Sequence, residues 1–483
     1  MESTASVIGA HPCSTLARSE DAALMALARC IHAQGEQAAT FAEREQAILR
    51  VTNELARRLV EADLQRLADS YPDEVMVNNV RYRHHEDGVV TYHTLCGPAV
   101  VKRATYRRVD VRNGPTIVPL EVEAGVICGA TPALAYSVGQ GLAEMSSRTF
   151  DSVMRGAHRA LPSRSTVERL GKHIGGAVKQ DALVYEAVLR AEEGIPKGAH
   201  AISVGLDRTS VPMAEERPPG QPPSTPRKPR PKSKKRKRQE PHPFDVVYRM
   251  AYVGTVAVVD DNGEALCTRK YAATAEEGPD ELVRRVMADV VWLRRGRTLP
   301  VVVVQDGAPE LWGLMWTALR AAGISKWHQV IDRYHVTERI SAVLDEVIRD
   351  PETRKQKLDY WRRQLELRNN AVAKFADWME TTYQQSGVWK RIEGHHWYLF
   401  FAALSRRTHY RTLRDRGFPT ASGVTEGACK SLIAARCKRS GQRWQQDGLT
   451  AILTLRAMVH SDRFDRLWPL FARRFVAAID CRE

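Results

Sequence analysis

Two runs of apolar and β-branched residues constrain this chain more than anything else in it. Residues 201–206 (Ala201, Ile202, Ser203, Val204, Gly205, Leu206) lead into Asp207, and four valines at 301–304 lead through Gln305 into Asp306. Short runs of this kind suit buried strands. A third acid, Glu426, opens the helix-like stretch 425–431. Two strand ends and one helix start can converge on a divalent metal. The separations, 99 residues (306 minus 207) and 120 residues (426 minus 306), exclude a local metal loop and leave a site assembled by the fold. Each acid also has a plainer role: Asp207 as an acceptor at a strand end, Asp306 and Gly307 as a turn, Glu426 as a charge favoured in a first helical turn.

The 72 Lys and Arg exceed the 57 Asp and Glu, a formal net charge of +15. That excess points to nucleic acid or another anionic surface. Carboxylates gathered beside a polyanion fit phosphodiester chemistry, in which two divalent ions activate a nucleophile and stabilise the leaving oxygen. Mg2+, or Mn2+, prefers such hard oxygen ligands. A membrane partner is not expected: the longest apolar runs, near 252–259 and 299–304, fall far below the ~20 residues that span a bilayer. The first residues lack a basic segment followed by an apolar core, so no secretory signal is expected. The eight cysteines include no C-x-x-C pair, which argues against a zinc ribbon or a disulfide scaffold and for a reducing cytosol.

Helical periodicity runs over 19–70, with Ile48, Val51, Leu55 and Leu59 on one face. A β-rich patch follows at 88–125. From 131 to 189 the pattern is helical again, and 161–170 reads as a turn leading into a capped helix. Two readings stand for that stretch: a helix-turn-helix presenting Arg164, Arg169 and Lys172 to DNA, or an ordinary amphipathic pair. Between 218 and 243 prolines accompany nine basic residues in the twelve from 227 to 238. Such a stretch cannot build a core and reads as a disordered, solvent-exposed loop suited to phosphate contact, a solvated linker or an import signal. Strands are then predicted at 252–259, 265–271, 300–305 and 329–332, with helices at 279–293 and 309–322. With the strand ending at Asp207 placed first, this order suits a mixed α/β sheet flanked by helices. The chain is helical from 336 to about 416 and rich in aromatics. There Trp397 either packs as core, the favoured reading, or stacks on an unpaired base.

The strand ending at Asp207, the strand ending at Asp306, the segment Asp332, Arg333, Tyr334, His335, a helical insertion, and then Ser422, Gly423, Val424, Thr425, Glu426, Gly427 together resemble bacterial insertion-sequence transposases of the DDE type. Within them the chain resembles the Kra-type branch, on the downstream patterns 436–444 and 455–457. The resemblance covers roughly 200–470, and more loosely 109–189. It implies an RNase H-like catalytic core in which Asp207, Asp306 and Glu426 hold the metal, with Asp332 and His335 matching a D-x-x-H element. Relatives often carry paired cysteines in the N-terminal β region, whereas Cys96 and Cys128 stand alone.

The expected organisation is an N-terminal helical and β region (1–130), a helix-turn-helix-like DNA-binding region (131–195), a first catalytic part (196–335, with the basic loop at 217–243), an all-helical insertion (336–420) and a second catalytic part (421–483). The expected activity is metal-dependent cleavage at element ends followed by strand transfer. The alternatives are a structure-selective nuclease on the same core and a non-catalytic DNA-binding regulator derived from a transposase. Double-stranded DNA is the expected partner, with a homo-oligomer assembled on it in a bacterial cytoplasm at the nucleoid. Lys430, one helical turn after Glu426, and the basic stripe of Arg436, Lys438, Arg439 and Arg443 are expected to touch DNA.

Overall fold

The computed structural model describes residues 40–218, 220–221, 243–404 and 406–481, with Arg29 and Ala33. The basic loop at 227–238 and, apart from Arg29 and Ala33, residues 19–39 of the helical stretch expected at 19–70 lie outside these residues. Contacts gather the chain into two units, Met1–Ala135 with Ser147–Val167 and Arg473–Glu483, and Tyr136–Ser146 with Glu168–Ala472.

The first unit opens with helix α1 (Phe41–Asp69). A reciprocal capping box starts it: Glu43 N donates to Thr40 Oγ1 at 3.3 Å and Thr40 N donates to the Glu43 carboxylate at 3.0 Å. Its apolar face is narrower than periodicity suggests, because Ile48 and Leu59 are exposed. Strands β1 (Glu74–Val77), β2 (Val80–Thr94), β3 (Gly97–Arg108) and β4 (Thr116–Ile117) follow. The sheet thus begins at Glu74 rather than at residue 88. Its first turn is Asn78 and Asn79, both with positive φ between the paired Val77 and Val80. Asparagine tolerates that backbone region, and such two-residue turns match strand twist. The C-terminal strand Ile479–Asp480 pairs antiparallel with β1 at the sheet edge. Leu64 of α1 packs with Tyr92, Ala99, Val101 and Leu120 as the core, the last from α2 (Pro119–Glu123).

Helices α3 (Pro132–Glu144), α4 (Ser147–Gly156), α5 (Arg164–Gln180) and α6 (Ala182–Glu193) fill the expected helical region. The predicted turn before α5 is present, with Thr166 N donating to Ser163 Oγ at 3.3 Å. The expected helix-turn-helix is not a module of its own, since the boundary between units falls inside α5.

The second unit is built on strands β5 (Ala201–Glu216), β6 (Phe244–Val259), β7 (Ala265–Ala273), β8 (Val301–Gln305) and β9 (His328–Ile331), with α7 (Gly278–Arg294) and α8 (Pro309–Ala321) between them. The sheet order is β7-β6-β5-β8-β9. β5, β6 and β7 pair antiparallel, while β8 joins β5 in parallel and β9 joins β8 in parallel. It is the mixed α/β sheet expected. The four valines of β8 are all buried, as a strand covered on both faces must be.

Helices α9 (Arg333–Val347), α10 (Pro351–Leu367), α11 (Ala371–Tyr383), α12 (Trp389–Leu404) and α13 (Tyr410–Asp415) form the predicted insertion. Val336, Ile340, Phe375 and Leu399 share one continuous apolar core with Val302, Val304 and Leu311 of the sheet layer. Trp361, Phe375 and Trp378 interlock, with Phe375 4.9 Å and 5.2 Å from the two tryptophan centroids. Trp397 is different. It is 51% exposed and lies over Phe401, which is itself exposed, so the core reading favoured from sequence is corrected. The chain then forms α14 (Gly423–Ala428), a π-helical turn (Cys429–Ala434), α15 (Ala435–Cys437), α16 (Gln446–Val459) and α17 (Phe464–Ala472).

Candidate metal centre

The parallel pairing of β5 with β8 fixes where two of the three acids emerge. The last paired positions are Val204 and Val303; three residues on stand Asp306, directly after β8 as expected, and Asp207, which does not end its strand as expected but lies inside β5, opposite Val253 of β6. Asp207 Oδ1 accepts from Arg208 N at 2.7 Å, and Asp306 Oδ1 accepts from Ala308 N at 3.0 Å at the start of α8. Each carboxylate is therefore anchored on a nearby backbone N–H.

Glu426 arrives on α14, which docks on the sheet through its own neighbour. Thr425 is buried, and its hydroxyl meets that of Thr255 in β6 at 2.7 Å. The approach depends on Gly205: a Cβ there would lie 2.1 Å from Thr425 Oγ1 and 2.9 Å from Val304 O. The glycine two residues before Asp207 thus lets the helix carrying Glu426 sit against β5. The π-helical turn that follows presents Cys429, whose thiol donates to the Asp207 carboxylate. Burial pushes that thiol up to about 12, with the Asp207 charge acting in the same direction, so it stays a protonated donor.

Asp332 and His335 join the site from α9. Asp332 is almost fully buried and caps the helix, accepting from Tyr334 N at 2.6 Å. Its other oxygen accepts from Ser422 N at 3.0 Å and from the Ser422 hydroxyl. One carboxylate therefore binds the first turns of both α9 and α14. His335 Nε2 lies 3.4 Å from Glu426 Oε1, and its Nδ1 lies 3.1 Å from Glu338 Oε2.

Among the described residues, the three metal-ligating groups whose donor atoms fall within 4.8 Å of one another are Asp332, His335 and Glu426. Asp207 and Asp306 stand outside that tight group. They remain electrostatically joined to it: burial raises the Asp207 carboxyl above its ordinary value, and the charges of Asp306 and Glu426 raise it further. Lys430 Nζ, 3.2 Å from Glu426, supplies one neighbouring positive charge. Arg208 turns away to pair with Glu310. A half-buried acid burdened by two like charges, among oxygen donors and one imidazole, fits a hard divalent cation.

The expected DNA contacts divide. Arg164, Arg169, Arg439 and Arg443 are exposed. Lys172 is exposed but paired with Asp447 at 2.7 Å, and Lys438 donates to Thr209. Lys430 is engaged by Glu426 rather than standing free. Arg436 is a correction: it is 5% exposed, donates to Leu142 O at 3.3 Å and lies 5.0 Å over the Trp444 ring. Burial lowers its guanidinium to about 10, and it serves the core. Sequence reasoning gave no role to Thr425, Ser422 and Gly205, whose contacts set where Asp332 and Glu426 sit. Their signal was adjacency to the acids.

The sequence matches no model of a known protein family. It matches no curated protein either.

Proposed function

We propose that this chain is a DNA transposase of the DDE type, hydrolysing the phosphodiester at the ends of a mobile element and joining the exposed 3′-hydroxyl to target DNA. The observation that carries the reading is the placement of Asp207 and Asp306 at matching positions beyond the pairing of two adjacent parallel strands, with Glu426 docked beside them. The RNase H-like reading of the core is supported by the strand order, three antiparallel strands followed by two parallel ones, and by the late helix that returns the third acid.

Asp207, Asp306 and Glu426 are the residues to hold Mg2+ or Mn2+, with His335 beside Glu426. Bound there, the ions would lower the pKa of a water or 3′-hydroxyl and offset charge on the leaving oxygen. The chain's own groups do the rest. Asp332 fixes the two helices that present His335 and Glu426, and the Cys429 thiol holds one face of Asp207. His335, bridging Glu338 and Glu426, is placed to pass a proton to a departing oxygen. Exposed Arg164, Arg169, Arg439 and Arg443 supply sequence-independent attraction to double-stranded DNA. A homo-oligomer assembled on that DNA, working in the bacterial cytoplasm, is part of the same proposal.

The test is a paired cleavage and joining assay with Mg2+ or Mn2+, using the DNA that flanks the coding region as donor and a plasmid as target. Cleavage at both flanks followed by joined product is expected. Cleavage without joining favours a structure-selective nuclease, and binding without either favours a regulator.

A further inference from the structure

Beside Asp306 a cleft of about 520 Å³ opens against the helical insertion, lined by Gly307, His335, Arg339, His395 and Tyr398 among others. Arg339 follows His335 by four residues on α9, so both project from one face of that helix. Its guanidinium carbon lies 4.9 Å from the Tyr398 ring centroid, and Nη1 lies 3.5 Å from His395 Nδ1. Among the described residues no carboxylate pairs with Arg339, although it is exposed. The cleft's other acid, Glu338, is held by His335.

Two more donors converge there. The Tyr398 hydroxyl is shielded from solvent, and among the described residues its proton has no acceptor. Burial keeps His395 below its ordinary value, and Arg339 adds to the effect. With Nδ1 turned to Arg339, the neutral ring leaves Nε2–H as a donor. The closeness of Tyr398 to the Asp306 turn depends on Gly307, where a Cβ would lie 2.1 Å from the ring. A guanidinium, a phenol and an imidazole N–H together ask for a ligand that is anionic and accepts only. A phosphodiester is that ligand.

We propose that this cleft seats the phosphodiester of the nucleotide next to the cut, with Arg339 as its principal donor and Tyr398 as the platform that fixes the guanidinium and adds a second donor. The assignment rests on reading the neighbouring site as DNA-cleaving. Arg339 and Tyr398 are thereby strand-positioning residues.

The experiment is equilibrium binding of full-length protein to single-stranded oligothymidylate in Ca2+, which occupies hard-oxygen sites, across a range of KCl concentrations. Arg339→Ala is expected to weaken binding about tenfold, the loss of one charge-assisted contact. It should also flatten the slope of log K against log[salt] by about 0.7, one phosphate on a single strand. Arg339→Lys restores the slope and only part of the affinity, because an ammonium lacks the planar stack on Tyr398. Tyr398→Phe keeps the slope and weakens binding about threefold, with no loss of melting temperature, since the hydroxyl it removes has no acceptor. Wild-type affinity and slope in Arg339→Ala overturn the proposal. So does a wild-type protein that binds no oligonucleotide. A protein with the Arg339-dependent slope that neither cuts nor joins DNA keeps the phosphate seat and loses the transposase reading.

Discussion

Asp332 and Ser422, ninety residues apart, tie two helix starts together: the Ser422 backbone N–H donates to Asp332 Oδ2 at 3.0 Å while the other oxygen of the same carboxylate caps α9. His335 lies three residues beyond the first anchor and Glu426 four beyond the second. The tie therefore sets the 3.4 Å approach of His335 to Glu426. Asp332 belongs to the tight three-residue group, yet its oxygens are already occupied by backbone and hydroxyl donors.

Breaking that tie should misplace the site before it unfolds the protein. Ser422→Ala is expected to destabilise by about 1–2 kcal/mol, and Asp332→Ala by about 3 kcal/mol because it leaves buried donors unpaired. Denaturant unfolding measures both. Loss of metal-dependent cleavage in Ser422→Ala with most of the stability retained is the expected signature; cleavage at the wild-type rate would separate the tie from the site.

Asp306→Asn should abolish metal-dependent cleavage and leave DNA binding intact, since it removes a proposed ligand without altering the basic surface. Cleavage and gel-shift assays on one preparation decide it. Near-normal cleavage would remove Asp306 from the centre.

The raised Asp207 pKa carries a sign. An acid that holds its proton more tightly folded than unfolded opposes folding once ionised. In metal-free protein the penalty is full above the folded pKa, shrinks as pH falls through it, and is gone below the ordinary value of 3.8. Asp207→Asn should therefore melt higher than wild type at neutral pH in EDTA, with the gap closing as the pH approaches 4. It should also lose the thermal stabilisation that Mg2+ or Mn2+ gives the wild type. A gap that is constant with pH would contradict the assignment.

Gly205→Ala places a methyl where Thr425 Oγ1 and Val304 O already sit. Forcing α14 away should cost about 1–3 kcal/mol and lower cleavage, because Glu426 follows Thr425. Gly205→Ala combined with Thr425→Gly relieves the nearest contact and should recover part of both. Failure of that second change to recover anything would place the strain against Val304 O instead.

Trp397→Ala should leave the melting temperature nearly unchanged, as the side chain is half exposed. Impaired end processing that a pre-nicked substrate rescues would support base stacking, worth roughly 1–3 kcal/mol. A large fall in melting temperature would restore the core reading.

Much of this was legible in the chain. Four consecutive valines ending two residues before Asp306 announce a buried strand, because β-branched side chains pack well in sheets, and the helical insertion announces itself by length and periodicity. The β1–β2 turn at Asn78 and Asn79 carried an Asn-Asn turn signal, yet the sequence reading opened the sheet only at residue 88. Charge was the poorest guide. Arg190, Arg269, Arg285, Arg436, Arg456 and Arg463 are all buried, several in ion pairs such as Arg190 with Asp289 at 3.1 Å and Arg463 with Glu193 at 2.7 Å. The net charge counts such arginines as though they faced a polyanion.

The sequence by itself determined where most strands and helices lie, since those depend on local sterics and on the period of apolar residues, but it stopped β5 at Asp207 where the strand runs on to Glu216. Only the tertiary structure decided that Asp332, His335 and Glu426 form the tight group, that Arg436 is core and Arg339 faces a cleft, and that Gly205 admits the helix bearing Glu426. Those outcomes depend on distances between residues from about sixty to nearly three hundred positions apart, such as Arg339 and Tyr398 or Arg436 and Leu142, which packing sets and no local pattern encodes.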